Sequence, residues 1–405
     1  MKGTSRPAGA ERAAAPAQPA PIQLLVLGGD GIGPEVTASA LLVLDALAPA
    51  LPWPVGVTHQ LLGVSAYREL GHPAPLEVLR QAAAADAVLM GAVDTLALRA
   101  LGAASLGSAV VGLRRALGCF AGLRAVRTWA DPTPVSPLPP ERLAGVDCLF
   151  VRELAAGAYG RGRHDIEGPD GARRATDAIT YTEPQVIRVA RVAFSAAQRR
   201  RGHVTSVDMA HRLSSSWLWR TVVQEVAADY PGVTCEHRLA GDFARDLVWE
   251  PAQFDVVLTS NLLGDILSDE AAALAGSLGV LPSASCAPAG RPWLYEPVHG
   301  AAPQLVGAGS ANPVAAILTL AMLLQDQGAL AAAAAIQAAV AETMEAGVKT
   351  PDLGGRATTE EVTNAVLAGL STALASGNGE LRQPLVGTPA RPEVQAAWRD
   401  QGCPA

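Results

Sequence analysis

Two carboxylates, Asp265 and Asp269, stand four residues apart in the segment Asn261-Leu262-Leu263-Gly264-Asp265-Ile266-Leu267-Ser268-Asp269-Glu270. If a helix starts near Leu262 they share one face, where like charges repel unless a cation lies between them. Carboxylate oxygens at this spacing suit Mg²⁺ or Mn²⁺, with waters and substrate oxygens completing the shell. A solvated helix face accounts for the same pair without a metal. A second set is cationic: Arg114 and Arg124 lie either side of an apolar stretch containing Phe120, and Arg152 ends an apolar run. Three guanidinium forks can clamp a dicarboxylate, or they are ordinary surface arginines. The third set is Gly28-Gly29-Asp30-Gly31-Ile32-Gly33-Pro34-Glu35, where free backbone N–H groups at a helix start could meet an anion. It lacks the full GxGxxG pattern, and a plain turn with Pro34 in the first helical turn explains the glycines equally well.

These residues need elements to hold them. Ile22–Leu27 closed by glycines, Ala85–Met90, Ala144–Phe150, His203–Val207 and Asp255–Leu258 read as short buried strands, with helical spacing at Val36–Leu47, Pro184–Arg200, Ser214–Asp229 and Ala311–Gln325. Alternation of this kind predicts an α/β protein with parallel pairing. Five prolines in 132–140 predict a connection near a domain boundary. The chain has 405 residues, 49% of them apolar and 17% charged, which excludes disorder of the whole chain and allows two or three domains. Thirty-one basic against 38 acidic residues leave −7, with no basic block, arguing against nucleic acid or an anionic membrane surface as partner and for a small molecule. Five cysteines (Cys119, Cys148, Cys235, Cys286, Cys403) without CxxC or metal spacing predict reduced thiols and a cytoplasmic protein. No apolar run suits a membrane span. Residues 1–20, rich in Ala and Pro, read as a disordered leader and 376–405 as an irregular tail.

Motifs in order along the chain carry a resemblance. They are GGDGIGPEV, LRRALGCFAGLRAVR at 113–127, FVREL at 150–154, VTSVD at 204–208, FDVVLTSNLLGDILSDE at 254–270, GSLGVLPSAS at 276–285, LYEPVHGAAP at 294–303 and ANPVAAIL at 311–318. From Ile22 to Ala375 the chain resembles the β-decarboxylating dehydrogenases of isopropylmalate, isocitrate and tartrate, most of all the isopropylmalate branch. The resemblance implies two α/β domains around a cleft: a cofactor-binding domain from 21–119 plus 276–375, and a substrate, metal and dimerisation domain from 120–275. It also implies a homodimer whose partner subunit completes each cleft. The implied chemistry is oxidation of a 3-substituted malate with NAD or NADP, then loss of the β-carboxylate, with Mg²⁺ or Mn²⁺ holding the substrate oxygens. Arg114, Arg124 and Arg152 match the malate-clamping arginines, Tyr159 the tyrosine that protonates the enol, and Asp265 and Asp269 two metal ligands. Glu296, His299, Gly300, Ala302 and Asn312 fall in the segment for the adenosine half of the cofactor. Val110 and Val111 stand where the branch keeps apolar side chains against the substrate's alkyl group.

Four departures accompany these matches. Met209 stands at the catalytic lysine and His211 at the asparagine that follows. Gly241 stands at a third metal aspartate supplied across the dimer, with Asp242 one position along. Gly107 replaces a glutamate near the nicotinamide, and Gln304 the aspartate that holds the adenine ribose in NAD users, which leaves NADP open. A thioether takes no proton at neutral pH, whereas an imidazole does. Three readings follow: a dehydrogenase with His211 as base or relay, a metal-assisted decarboxylase or lyase acting on a related dicarboxylate, and a non-catalytic dimer. His211 is equally well read as a packed histidine.

Overall fold

The computed structural model describes residues 20–103, 108–129, 135–159, 165–167 and 173–376. The strands are β1 Ile22–Gly29, β2 Val55–His59, β3 Ala87–Ala92, β4 Ala121–Arg127, β5 Asp147–Glu153, β6 Asp165–Glu167, β7 Arg173–Ala175, β8 His203–Asp208, β9 Thr234–Leu239, β10 Val256–Thr259, β11 Pro282–Cys286 and β12 Trp293–Pro297. Ten of them form one sheet in the order β2-β1-β3-β12-β11-β4-β5-β10-β8-β9, and β6 pairs with β7. The fold is α/β, as the alternation of elements implies.

Pairing is parallel across β2-β1-β3-β12 and across β5-β10-β8-β9. The expectation of parallel pairing fails at the centre, where β12–β11, β11–β4 and β4–β5 are antiparallel. The links explain the difference. Strands β11 and β12 are joined by 287–292 alone, and between β4 and β5 the only described helix is the one-turn Pro140–Leu143. Antiparallel neighbours need no crossover helix, and neither link supplies one. The leader 1–19, the tail from 377, Gly107 and residues 130–134 of the proline-rich stretch lie outside the described residues.

Helix Val314–Asp326 is buried on nearly every side, packed on β11, β12 and helices Gly33–Leu47 and Leu330–Glu345. A helix apolar all round belongs inside a protein. Under the other half of the sheet Phe243 packs between Phe150 and Phe254, at centroid distances of 6.1 and 4.7 Å. With so few aromatics, the rest of the core is mostly Ala, Val and Leu.

The glycine-rich turn after β1 is a packing device. Three of its N–H groups are taken: Asp30 donates to Ala92 O at 2.7 Å, Ile32 to Ala301 O at 2.8 Å and Gly33 to Asp30 O at 2.9 Å. These bonds fit the plain-turn reading of the motif. Gly31 has φ +61°, and a Cβ there would stand 1.9 Å from Ala301 O, so only glycine lets the 301 segment dock against β1. The buried Asp30 carboxylate accepts from Val64 N and Asp94 N at 2.8 and 2.9 Å, tying two further loops to this turn.

Strand register decides which charges can meet. Glu296 is opposite Ser283, and Ser283 is opposite Arg124. Arg152 on β5 is opposite Gly122, two residues from Arg124. Positions opposite one another or two apart share a face, so Glu296, Arg124 and Arg152 all project from one side of the sheet. Helix Asn261–Leu274 lies against β4 and β5. Its close approach depends on Gly264, where a Cβ would meet Thr259 Oγ1 at 2.3 Å and Arg152 Cγ at 2.7 Å.

Gly264→Ala should therefore cost ~1–3 kcal/mol through overpacking. Gly112→Ala, in helix Ala109–Leu117 with nothing within 4 Å, should gain ~0.5–1 kcal/mol by removing backbone freedom from the unfolded chain. Urea denaturation of the two variants checks the opposite signs.

Candidate active site

Two arginines from adjacent strands meet two aspartates from one helix. Arg124 donates from one terminal nitrogen to Asp269 Oδ1 at 2.6 Å and to Ser268 Oγ at 2.7 Å, and its other terminal nitrogen lies 3.8 Å from Asp265. Arg152 donates to Asp265 Oδ1, and its Nε and remaining terminal nitrogen both donate to Asn261 Oδ1, at 3.2 and 2.9 Å. Tyr159 donates its hydroxyl to Asp265 Oδ2 at 3.4 Å, and the Arg152 guanidinium lies 5.9 Å from its ring centroid. Arg114, on helix Ala109–Leu117, donates from Nε and a terminal nitrogen to Glu296 Oε1 at 3.2 and 2.6 Å.

Burial pushes the Arg152 pKa down, and the nearby Arg124 and Arg114 cations add to this against the pull of Asp265. For Arg114 burial works downward too, but Glu296 outweighs it and the net direction is up. The Tyr159 hydroxyl is raised, first by desolvation and then by the Asp265 charge, and so stays protonated and able to donate. The sequence expectations therefore converge on one face: Arg124, Arg152, Tyr159, Asp265 and Asp269 form one cluster, with Arg114 beside it. Val110 and Val111 lie one helical turn before Arg114; Val110 is half-buried and Val111 exposed.

Asp242, Met209 and His211 do not join this cluster. Asp242 pairs with Arg245 at 3.3 Å and, with the exposed His211, lines a separate cavity of about 580 Å³ among Trp217, Arg220, His237 and Arg238. Among the described residues no three His, Cys, Asp or Glu side chains gather as a metal site, so the expected set Asp265, Asp269 and Asp242 is not completed within one chain. Asp242 sits at the start of helix Ala240–Trp249, whose first turn faces Arg245. Met209 follows β8 directly, beside the buried Asp208, which two Arg220 nitrogens hold at 2.9 Å. The oxygen donors of Asp265 and Asp269, one turn apart and partly exposed, fit a divalent ion as two ligands of a larger shell.

The expected cofactor segment leaves β12. Ala301 O is anchored by Ile32 N–H, and Ala302 has φ +38°, a left-handed conformation that costs a non-glycine residue ~1–2 kcal/mol. Gly300 and Gln304 are exposed. His299 Nδ1 contacts Gly300 O at 3.0 Å, while its buried Nε2 has no partner, an orphaned polar atom that fits a ligand along this segment. Burial also holds the His299 pKa down, so the ring is neutral. Asn312 is tied into the fold: its Oδ1 accepts from Val314 N at 3.0 Å and its Nδ2 donates to Asp352 at 3.0 Å, securing the start of helix Val314–Asp326. Glu296 is occupied by Arg114.

Sequence reading assigned no role to Asn261, Ser268 or the Arg114–Glu296 pair. The helix spacing that singled out Asp265 also puts Asn261 and Ser268 on its face, so that signal was present; nothing local links positions 114 and 296. The thiols of Cys119 and Cys148 are buried and pushed up to about 12, unsuited to nucleophilic work.

Residues 23–366 match the family model for isocitrate/isopropylmalate dehydrogenase. The chain is 48% identical over 328 residues to a 3-isopropylmalate dehydrogenase of Salinibacter ruber, covering 81% of this chain and 88% of that one. It is 41% identical over 354 residues to the enzyme of the same name from Streptococcus mutans, covering 86% and 99%. Among solved structures, isocitrate dehydrogenase from Methylococcus capsulatus superposes with a TM-score of 0.77 at 31% identity, covering 86% and 99%. A β-decarboxylating dehydrogenase from Thermococcus kodakarensis gives 0.72 at 34%, covering 87% and 97%. A match over most of the chain, with the charged cluster at the expected motifs, makes this protein a member of the isocitrate/isopropylmalate dehydrogenase family.

Proposed function

We propose that the chain carries out NAD(P)-dependent oxidative decarboxylation of a 3-alkylmalate. The observation that supports this best is the cluster of Arg124, Arg152, Tyr159, Asp265 and Asp269, which unites cationic forks for a dicarboxylate with oxygen donors for a divalent ion. Asp265 and Asp269 would hold Mg²⁺ or Mn²⁺, which when bound polarises the hydroxyl and carboxylate oxygens of the substrate. Arg114, Arg124 and Arg152 orient the two carboxylates, Val111 meets the alkyl group, and Tyr159 keeps its proton available for the enol carbon. His299 and the segment to Gln304 line the cofactor side, where the uncharged Gln304 does not repel a 2′-phosphate.

The half carrying Met209, His211 and Gly241 differs from the family pattern, while the arginine–aspartate half retains it. In this reading His211 takes or relays the hydroxyl proton from a partner subunit. Met209 at the position of the base, a thioether that takes no proton, favours a second reading, a decarboxylase or lyase that removes no hydride. Calorimetry with 3-isopropylmalate and Mn²⁺, together with absorbance of NAD and NADP, distinguishes them: binding with cofactor reduction supports the first, product without reduction the second. Absence of dicarboxylate binding removes both.

The homodimer belongs to the same proposal. Trp217, Val248, Trp249 and Ile266 are 65, 45, 61 and 58% exposed, respectively, on helices Ser214–Ala227, Ala240–Trp249 and Asn261–Leu274. Large apolar side chains left in water on three helices suit a second copy of the chain.

Four outcomes are expected. Arg124→Met should weaken dicarboxylate binding by ~2–5 kcal/mol in calorimetry, the cost of removing one partner of a desolvated charge pair. Met209→Lys should raise cofactor reduction by ~10²-fold or more, the usual worth of a placed acid–base group, and His211→Asn should abolish whatever reduction the parent shows. Ile266→Glu should halve the mass measured by light scattering, since a buried unpaired carboxylate opposes association.

A further inference from the structure

We propose that Asn261 is a positioning residue that aims Arg152 and the Tyr159 turn at one carboxylate, a role that rests on the dicarboxylate reading of this site. Asn261 is 1% exposed and opens helix Asn261–Leu274. Its Oδ1 accepts from two nitrogens of Arg152, and its Nδ2 donates to Ala156 O at 2.8 Å. Its backbone N–H donates to the Tyr181 hydroxyl at 2.9 Å, and that hydroxyl would stand 2.1 Å from a Cβ on Gly157. One amide therefore grips the end of β5 on one side and, on the other, the turn that leads into Gly157–Tyr159. Both arms end on Asp265, through the Arg152 guanidinium and the Tyr159 hydroxyl.

The choice of an amide has a chemical reason. A guanidinium has five N–H donors; Asn261 takes two and Asp265 one, leaving one on each terminal nitrogen for a ligand. Because the amide is neutral, it fixes the plane of Arg152 without cancelling its charge. An aspartate would fix the same plane and cancel it.

The test compares Asn261→Ala, Asn261→Asp and Tyr181→Phe with the parent, measuring Tm and calorimetric binding of 3-isopropylmalate with Mn²⁺. Tyr181→Phe removes the acceptor of the backbone N–H and should lower Tm while leaving affinity unchanged. Asn261→Asp should retain more stability than Asn261→Ala, yet both should lose affinity by roughly ten- to hundredfold, as expected for charge-assisted hydrogen bonds. Parent-like affinity in Asn261→Asp, or affinity falling in step with Tm across all three variants, overturns the proposal. If the parent binds no dicarboxylate, the functional reading fails, and the Arg152 Nε–H resonance, assigned through Arg152→Lys, still decides this one. Its protection from solvent exchange should be present in the parent and lost in Asn261→Ala; protection in both overturns the role.

Discussion

Arg152 is 7% exposed at the end of a central strand, and a cation so placed must be matched by negative charge. At an effective dielectric of about 20, a pair 4 Å apart attracts by ~4 kcal/mol, while desolvation of each ion works against it. A buried guanidinium is tolerable only if its carboxylate and its remaining acceptors are held in place. Helix Asn261–Leu274 supplies both, with Asp265 for the charge and Asn261 for the neutral acceptor, and Gly264 lets the helix come near enough. The position of this helix on the sheet follows from that requirement.

A similar economy governs the other half. Arg114 and Glu296 are 182 positions apart in sequence and share a bond of 2.6 Å. Glu296 can reach helix Ala109–Leu117 because β12 places it on the face that also carries Arg124. The turn at Gly31, far from any charge pair, fixes the 301 segment that leaves the same strand. Glu296 and the 301 segment are thus positioned from one strand, β12.

How much of this could be read in advance depended on whether the signal was local. The buried strands ending at Met90, Phe150 and Leu258 were legible as continuous apolar runs, and Asp265 and Asp269 as a pair one helical turn apart. Strand β4 was not, because its sequence AGLRAVR carries two arginines: Arg127 is exposed, and Arg124 is half-buried through β5 and the Asn261 helix rather than by alternation. Strand β11, PSASC, is short and rich in Ser and Pro, so propensity does not mark it, and β12, WLYEP, is five residues long and ends in proline, too short to show a period. The glycine-rich turn was ambiguous for a different reason: glycines that cradle an anion and glycines that admit another backbone segment look alike until that segment, Ala301, is known. The family motifs pointed to the charged cluster because they record long-range contacts that propensity and periodicity cannot express.

The antiparallel seam β12–β11–β4–β5 runs through the middle of the sheet, with hydrogen bonds from one half to the other. A fold whose halves were tied only by loops could swing them like a book on its spine. Here the spine is itself sheet, so relative rotation of the halves must be absorbed as torsion, spread over the φ and ψ angles of four strands. Arg124 and Glu296 sit on that torsion element, and the distance between them is coupled to its twist. Stiffness of the seam strands, set by residues as plain as Leu123 and Ala284, thereby sets the mechanical compliance of the charged face.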